Sequence, residues 1–262
     1  MARSVAKRRT PSTVLVTGAS SGIGRALALE YAKRGAHVMA VARREPELGS
    51  LCESIRATGG KASFLTCDVA NARAAYDVVK KAEAELGGLD MVIANAGVGT
   101  SRHAARLTLE DVQTSIEVNV TGAMATLLAA VPIMLGQSHG HLVGVTSLAG
   151  RRALPSASSY SASKAALSTF LEGLRIDLEP AGLRVTDVQP GFVDTPMTKP
   201  NEFPMPFMWD APKAARYIAD RLERAPGIVA FPLPLRFLTR LSQVAPFGLH
   251  AAVTRMMSAQ KR

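Results

Sequence analysis

The stretch Thr13-Val14-Leu15-Val16-Thr17-Gly18-Ala19-Ser20-Ser21-Gly22-Ile23-Gly24 decides how the rest of the chain is read. Its first five residues are apolar or β-branched and have the length of one buried strand. Three glycines spaced Gly-x-x-x-Gly-x-Gly then lead into a helical pattern over 22–34. Glycine lets a backbone come close to a ligand, and a helix start offers unpaired N–H groups and the positive end of its dipole. A strand, a glycine-rich turn and a helix in this order point to a loop that cradles a pyrophosphate.

Outward from that loop, short apolar runs alternate with longer helical patterns. Strands are expected at Thr13–Thr17, His37–Ala42, Ala62–Thr66, Leu89–Ala94, His141–Thr146, Arg184–Gln189 and Ile228–Phe231. Helices are expected at 22–34, 46–58, 71–86, 108–135, 158–179 and 211–225. Continuous apolar strands are those covered on both faces, and strand–helix alternation implies right-handed crossovers. The expected fold is therefore α/β: one doubly wound, Rossmann-type parallel sheet with helices on both faces and a C-terminal helical appendage. Residues 1–10 read as a basic tail and 11–262 as a single domain. Within it, the proline-punctuated apolar tract at about 195–212 reads as a substrate lid, and about 231–262 as a basic, apolar appendage.

Composition narrows the class. The chain has 262 residues, 47% hydrophobic and 20% charged, enough for a core without staples. Cys52 and Cys67 are its only cysteines and form no Cys-x-x-Cys pair, so a reducing, cytoplasmic setting is expected. No signal peptide is expected, because no apolar core follows the basic start, and no apolar run reaches the roughly 18–20 residues of a bilayer span. The net charge of +10 is uneven: residues 1–10 hold four basic groups and no acid, residues 211–262 hold nine against Asp220 and Glu223, and the body between is near neutral. Without stacking aromatics beside the charge, no nucleic-acid partner is expected.

The second strand ends at Ala42-Arg43-Arg44, where an NAD-preferring fold places an acid about 20 residues beyond its glycines. A guanidinium there suits a 2′-phosphate, so Arg43 argues for NADP(H) over NAD(H), while Arg44 reads as a solvated side chain. Tyr160 and Lys164 lie four apart and share a helix face. A tyrosine with a pKa of about 10 is a poor proton donor or base at neutral pH, and a neighbouring ammonium is expected to lower it. So tuned, it can exchange a proton with a carbonyl or alcohol oxygen. Ser147, just past the fifth strand, can hold that oxygen.

Together these residues resemble the short-chain dehydrogenase/reductase superfamily, in its compact subgroup, over nearly all of Thr13–Thr195. The resemblance implies a strand order of 3-2-1-4-5-6-7. It makes Gly18, Ser20, Ser21, Gly22, Ile23 and Gly24 the cofactor loop, and Asp68-Val69 the adenine pair. Asn95-Ala96-Gly97 would line the cofactor, and Pro190, Gly191, Val193 and Thr195 would meet the nicotinamide end. Asn119 would join Ser147, Tyr160 and Lys164 in a catalytic tetrad, holding a relay water. Tyr160 and Lys164 would also contact the cofactor. The implied activity is NADP(H)-dependent interconversion of an apolar ketone or aldehyde and its alcohol, in a homodimer or homotetramer. The alternatives are an NAD-dependent dehydrogenase working oxidatively and a cofactor-binding regulator without chemistry.

The remaining polar candidates carry less. His103, His139 and His141 read as surface residues without acidic partners, Cys67 reads as packing, and no metal site is expected. The helical stretch around Arg236 and Arg240 is expected to pack on the cleft or on a sister subunit. Peripheral contact with an anionic membrane is the alternative.

Overall fold

In a computed structural model, residues 10–259 are described apart from 100 and 202. The basic tail is thus outside the described residues except for Thr10. Among the described residues nine strands form: β1 (Thr13–Thr17), β2 (His37–Ala42), β3 (Lys61–Thr66), β4 (Met91–Ala94), β5 (His141–Val145), β6 (Arg184–Pro190), β7 (Val193–Asp194), β8 (Trp209–Asp210) and β9 (Ile228–Phe231). Seven build one parallel sheet in the order β3-β2-β1-β4-β5-β6-β9. The chain winds outward from β1 through β2 to β3, returns to β4 beside β1, and then proceeds the other way. The break between β1 and β4 is the topological switch point, where ligands bind at the strands' carboxyl ends.

Both faces of the sheet are covered, which explains the continuous apolar strands. Val14 and Val16 enter one core with Leu27 of α1 (Gly22–Lys33), Leu48 of α2 (Glu45–Ala57) and Ile218 of α7 (Ala211–Leu222). Leu15 points the other way, toward Val79 of α3 (Ala72–Leu86), Leu127 of α5 (Ala123–Gln137) and Leu171 of α6 (Ser158–Leu178). The period-two alternation of one strand thereby serves two cores.

The helix expected at 108–135 runs from Leu109 to Gln137 but is not uniform. Between α4 (Leu109–Ile116) and α5 lies a π-helical turn, Glu117–Gly122, and Asn119 sits in it. Such turns concentrate at functional sites because they re-aim side chains. Gly122 is required there, since a Cβ would run into the Val69 carbonyl. By length and hydropathy Leu109–Gln137 could cross a membrane, contrary to the reading from apolar runs; in this fold about half of its most apolar stretch is buried within the protein, and α5 packs on α3.

Three sequence expectations need correction. The lid is shorter than 195–212: β7 and β8 pair, Val193 opposite Trp209, and pinch an excursion over 195–208. Pro212 instead opens α7, whose N-cap Asp210 accepts from the Lys213 amide at 2.6 Å. The histidine readings also change. His139 has an acidic partner, Asp90, at 2.9 Å. His141 is fully buried in β5, with Nε2 2.9 Å from Thr186 Oγ1. His103 is exposed, as expected.

Burial, with Arg184 nearby, pushes the His141 imidazole down to about 3, so the folded state holds it neutral. In the unfolded chain it titrates near 6.5. Stability is then full above pH 6.5 and declines below it, because the unfolded chain takes up a proton that the folded chain refuses. Urea denaturation at pH 7 and pH 5 should show a loss of about 2 kcal/mol in the native chain that His141→Gln removes.

Candidate active site

Residues from the loops after β1, β4, β5 and β6 meet at the carboxyl edge of the sheet. The β1 and β4 loops are joined by side chains. Thr17 Oγ1 accepts from the backbone amides of Asn95 and Ala96, each at 3.1 Å, and Asn95 Nδ2 donates to the Thr17 carbonyl at 2.9 Å. Gly18 turns with φ +69°, and a Cβ there would lie 2.7 Å from Ala96 Cα. Gly24 is equally constrained, between Asn95 and the Gly18 carbonyl. Gly22 turns with φ +55° against Thr195, so the segment after β6 closes on the glycine loop. Ser21 caps α1 from an extended backbone without a side-chain hydrogen bond, and no acid occupies the first helical turn. The start of α1 is therefore electropositive and carries glycine at Gly22 and Gly24, which fits a pyrophosphate.

At the far end of this groove Arg44, discounted from sequence, is the more engaged arginine. Its Nη2 donates to Ser20 Oγ at 2.9 Å, bridging the end of β2 to the glycine loop. Arg43 is 65% exposed and stands 3.6 Å from Asp68, beside Val69. Arg44 also pairs with Glu47 at 3.0 Å, so each guanidinium of this hydrogen-bonding corner has a carboxylate beside it.

On the other side, Ser147 follows β5. Its hydroxyl accepts from the Ala149 amide at 3.1 Å and reaches the Pro190 carbonyl at 3.4 Å. Lys164 is 3% exposed; its ammonium donates to the Val145 carbonyl at 2.9 Å and lies 5.8 Å from the Tyr160 ring centre. Gly97 fits between Lys164 and Asn119: a Cβ there would sit 3.3 Å from Nζ and 3.1 Å from Asn119 Oδ1. Asn119 is locked to the β4 loop. It accepts from the Val98 amide at 2.8 Å and donates to the Val98 carbonyl at 2.9 Å and to Ser163 Oγ at 3.0 Å. Ser163, one residue before Lys164, was missed from sequence because a hydroxyl inside a helix carries no signal of its own.

The electrostatics differ from the sequence expectation. Burial raises the Tyr160 phenol above its ordinary range, and a hydrogen bond with Ser147 draws it back; Lys164 is not what governs it. Tyr160 is therefore a neutral phenol around pH 7. Burial lowers Lys164 to about 8, opposed by the Asp187 carboxylate. Asp187, also missed, is buried in β6 and accepts from Thr146 Oγ1 at 2.5 Å, Ser168 Oγ at 2.5 Å and Gln189 Nε2 at 2.6 Å. Gln189 in turn accepts from Arg151 Nε at 2.6 Å. Every side of this carboxylate is served, as a buried charge requires.

The lid crosses the site from the β6 side to the β4 side. Met197 rests on Gly99, where a Cβ would be 3.1 Å from its Cγ, and Phe203 meets Phe192 at 6.0 Å between ring centres. Among the described residues no group of three or more His, Cys, Asp or Glu gathers to hold a metal ion.

NMR of protein labelled with ¹³Cε-lysine should show Lys164 titrating near 8. Asp187→Asn removes the charge that favours the ammonium, so the midpoint should move to lower pH. An unmoved midpoint would separate the two groups electrostatically.

Comparison with known proteins agrees with this geometry. A model of the short chain dehydrogenase family matches residues 12–204. The chain is 47% identical over 245 residues to an uncharacterized oxidoreductase of Myxococcus xanthus, with 94% of this chain and 97% of that one covered. A short-chain type dehydrogenase/reductase from Mycobacterium marinum superposes with a TM-score of 0.77 at 28% identity, covering 84% of this chain and 93% of the other. A short chain dehydrogenase/reductase from Burkholderia phymatum, solved in complex with NAD, reaches 0.81 at 25% identity, covering 88% and 92%. Glycine loop, switch point, tyrosine–lysine helix and relatives together make this chain an oxidoreductase of the short-chain dehydrogenase family.

Proposed function

We propose that the protein is an NADP(H)-dependent oxidoreductase that interconverts an apolar ketone or aldehyde and its alcohol. The observation that carries this reading is the convergence of Ser147, Tyr160 and Lys164 on the edge where the glycine loop opens. A nicotinamide dinucleotide, when bound, supplies or takes up the hydride. Gly18, Ser21, Gly22, Ile23 and Gly24 hold its pyrophosphate through backbone N–H groups, and Asp68 and Val69 flank its adenine. Arg43, Arg44 and Ser20 take the 2′-phosphate, for which paired guanidiniums are better suited than for a hydroxyl. Asn95, Ala96 and Gly97 line the middle of the groove, and Pro190, Gly191, Val193 and Thr195 the nicotinamide end.

In the reductive direction, Ser147 and Tyr160 receive the substrate oxygen. Tyr160 donates its proton to that oxygen as the carbon becomes tetrahedral, and in reverse it takes the alcohol proton back. Lys164, held on the Val145 carbonyl, binds the ribose hydroxyls. Asn119 fixes the β4 loop against Lys164 and supports proton resupply to Tyr160. Met197, Phe203 and Phe207 of the lid give the substrate side an apolar lining, hence an apolar substrate. The exposed Leu128 and Leu135 of α5 and Ile176 of α6 support assembly as a homodimer or homotetramer through these helices.

Fluorescence titration should give NADPH at least about a tenfold advantage over NADH, equivalent to about 1.4 kcal/mol. Arg43→Glu with Arg44→Glu should abolish that preference, and equal binding by the native chain would instead favour NAD(H) and oxidation. Tyr160→Phe should retain cofactor binding while losing about 10²–10⁴-fold in turnover of apolar carbonyls. Full activity in Tyr160→Phe would remove the proposed proton donor.

A further inference from the structure

The last two helices are built inside out. In α8 (Leu233–Val244), Leu235, Thr239 and Ser242 form the stripe turned toward the protein. Its two hydroxyls are satisfied within the helix: Thr239 donates to the Leu235 carbonyl at 2.9 Å and Ser242 to the Thr239 carbonyl at 2.8 Å. The opposite stripe is apolar. Leu233, Phe237, Leu241 and Val244 recur at helical spacing and, with Leu238 and Phe247, are 53–79% exposed. α9 (Phe247–Ala259) repeats the arrangement, with His250 and Thr254 turned in and Leu249, Val253 and Met256 turned out. An apolar face this extensive, on two successive helices, marks a contact surface.

The hairpin is seated at the catalytic mouth. Leu235 packs with Leu148, next to Ser147, and with Phe192, which also carries the lid residue Phe203. Arg152 donates to the Ala245 carbonyl at 2.8 Å, and His250 Nε2 lies 3.0 Å from the Ala153 carbonyl. Arg236 and Arg240 flank the apolar stripe on one side, close enough to Arg151 for each to disfavour its charge. From Arg224 to Arg262 there are six basic residues and no acid.

We propose that the outer face of α8 and α9 docks on an anionic lipid bilayer, with the catalytic mouth held at the membrane surface. Aliphatic and aromatic side chains enter the acyl boundary, while Arg236 and Arg240 lay their stems on it and keep their guanidiniums at the headgroup phosphates. Charge selects this occupant over a second copy of the chain. A two-fold contact brings the same patch against itself, and that patch offers no carboxylate to pair Arg236 and Arg240. The docking itself stands apart from the proposed reaction; entry of an apolar substrate from the lipid phase rests on it.

The test is flotation of the full chain with vesicles of phosphatidylcholine containing about 30% phosphatidylglycerol, and with vesicles of phosphatidylcholine alone. Binding to the anionic vesicles is expected to be at least about tenfold stronger and to weaken with salt. Phe237→Glu with Leu241→Glu, at exposed positions, should abolish it while leaving the NADPH titration and the melting temperature unchanged. Failure of NADPH to bind the native chain would count against the proposed function and leave the docking result standing. Three outcomes would overturn the docking proposal. Equal flotation by the double variant would assign the binding to another basic segment. No flotation by the native chain would remove the membrane. A lipid-free dimer, seen by light scattering and broken by the double variant, would make the face a subunit interface.

Discussion

The contact between the β1 and β4 loops is the constraint on which the site depends. These strands are neighbours in the sheet but far apart in sequence, and their loops leave the sheet in opposite directions around the switch point. Thr17 and Asn95 hold them together by exchanging hydrogen bonds through both side chains. Such close packing leaves no room for side chains at Gly18 and Gly24. The same tie fixes the start of α1 beside the β4 loop, whose next residues reach Asn119 and Lys164. The glycine loop and the edge that carries Asn119 and Lys164 thus share one wall.

Burial of charge organises the second half of the site. An ammonium removed from water is costly, and Lys164 keeps part of its charge because Val145 offers a carbonyl and Asp187 a compensating field. Asp187 is itself held by Thr146, Ser168 and Gln189, and the chain of contacts ends at Arg151 near the mouth. Low dielectric strengthens each of these interactions and keeps Tyr160 protonated. The Tyr160 phenol is kept neutral by its surroundings, with Ser147 rather than its lysine neighbour opposing them.

The C-terminal helices obey a different rule from the rest of the molecule. In α1, α2, α3 and α7 the apolar residues face the sheet, whereas α8 and α9 turn mostly polar residues inward and apolar ones outward. They are anchored chiefly by Leu235 and by the hydrogen bonds to Arg152 and Ala153. Their outward chemistry is therefore available for contact without any cost to the core.

Most of the architecture was legible in the sequence because strand and helix periods, and the glycines between them, are local properties. All seven strands of the main sheet were read near their observed bounds. Gly18, Gly22 and Gly24 announced the loop, and Tyr160 with Lys164 announced one helix face. What depends on distant neighbours was not legible. His141 looks like a surface histidine until Thr186 and Arg184 surround it; Arg44 looks solvated until Ser20 comes within 2.9 Å. The π turn at Asn119, the pinch between β7 and β8 and the outward apolar faces of α8 and α9 are likewise products of packing. The sequence determined which segments form and in what order, since these follow from spacing along the chain. Only the tertiary structure decided which charges are buried, which hydroxyl meets which arginine and which apolar stripe faces outward, because these depend on groups many residues apart sharing one low-dielectric space.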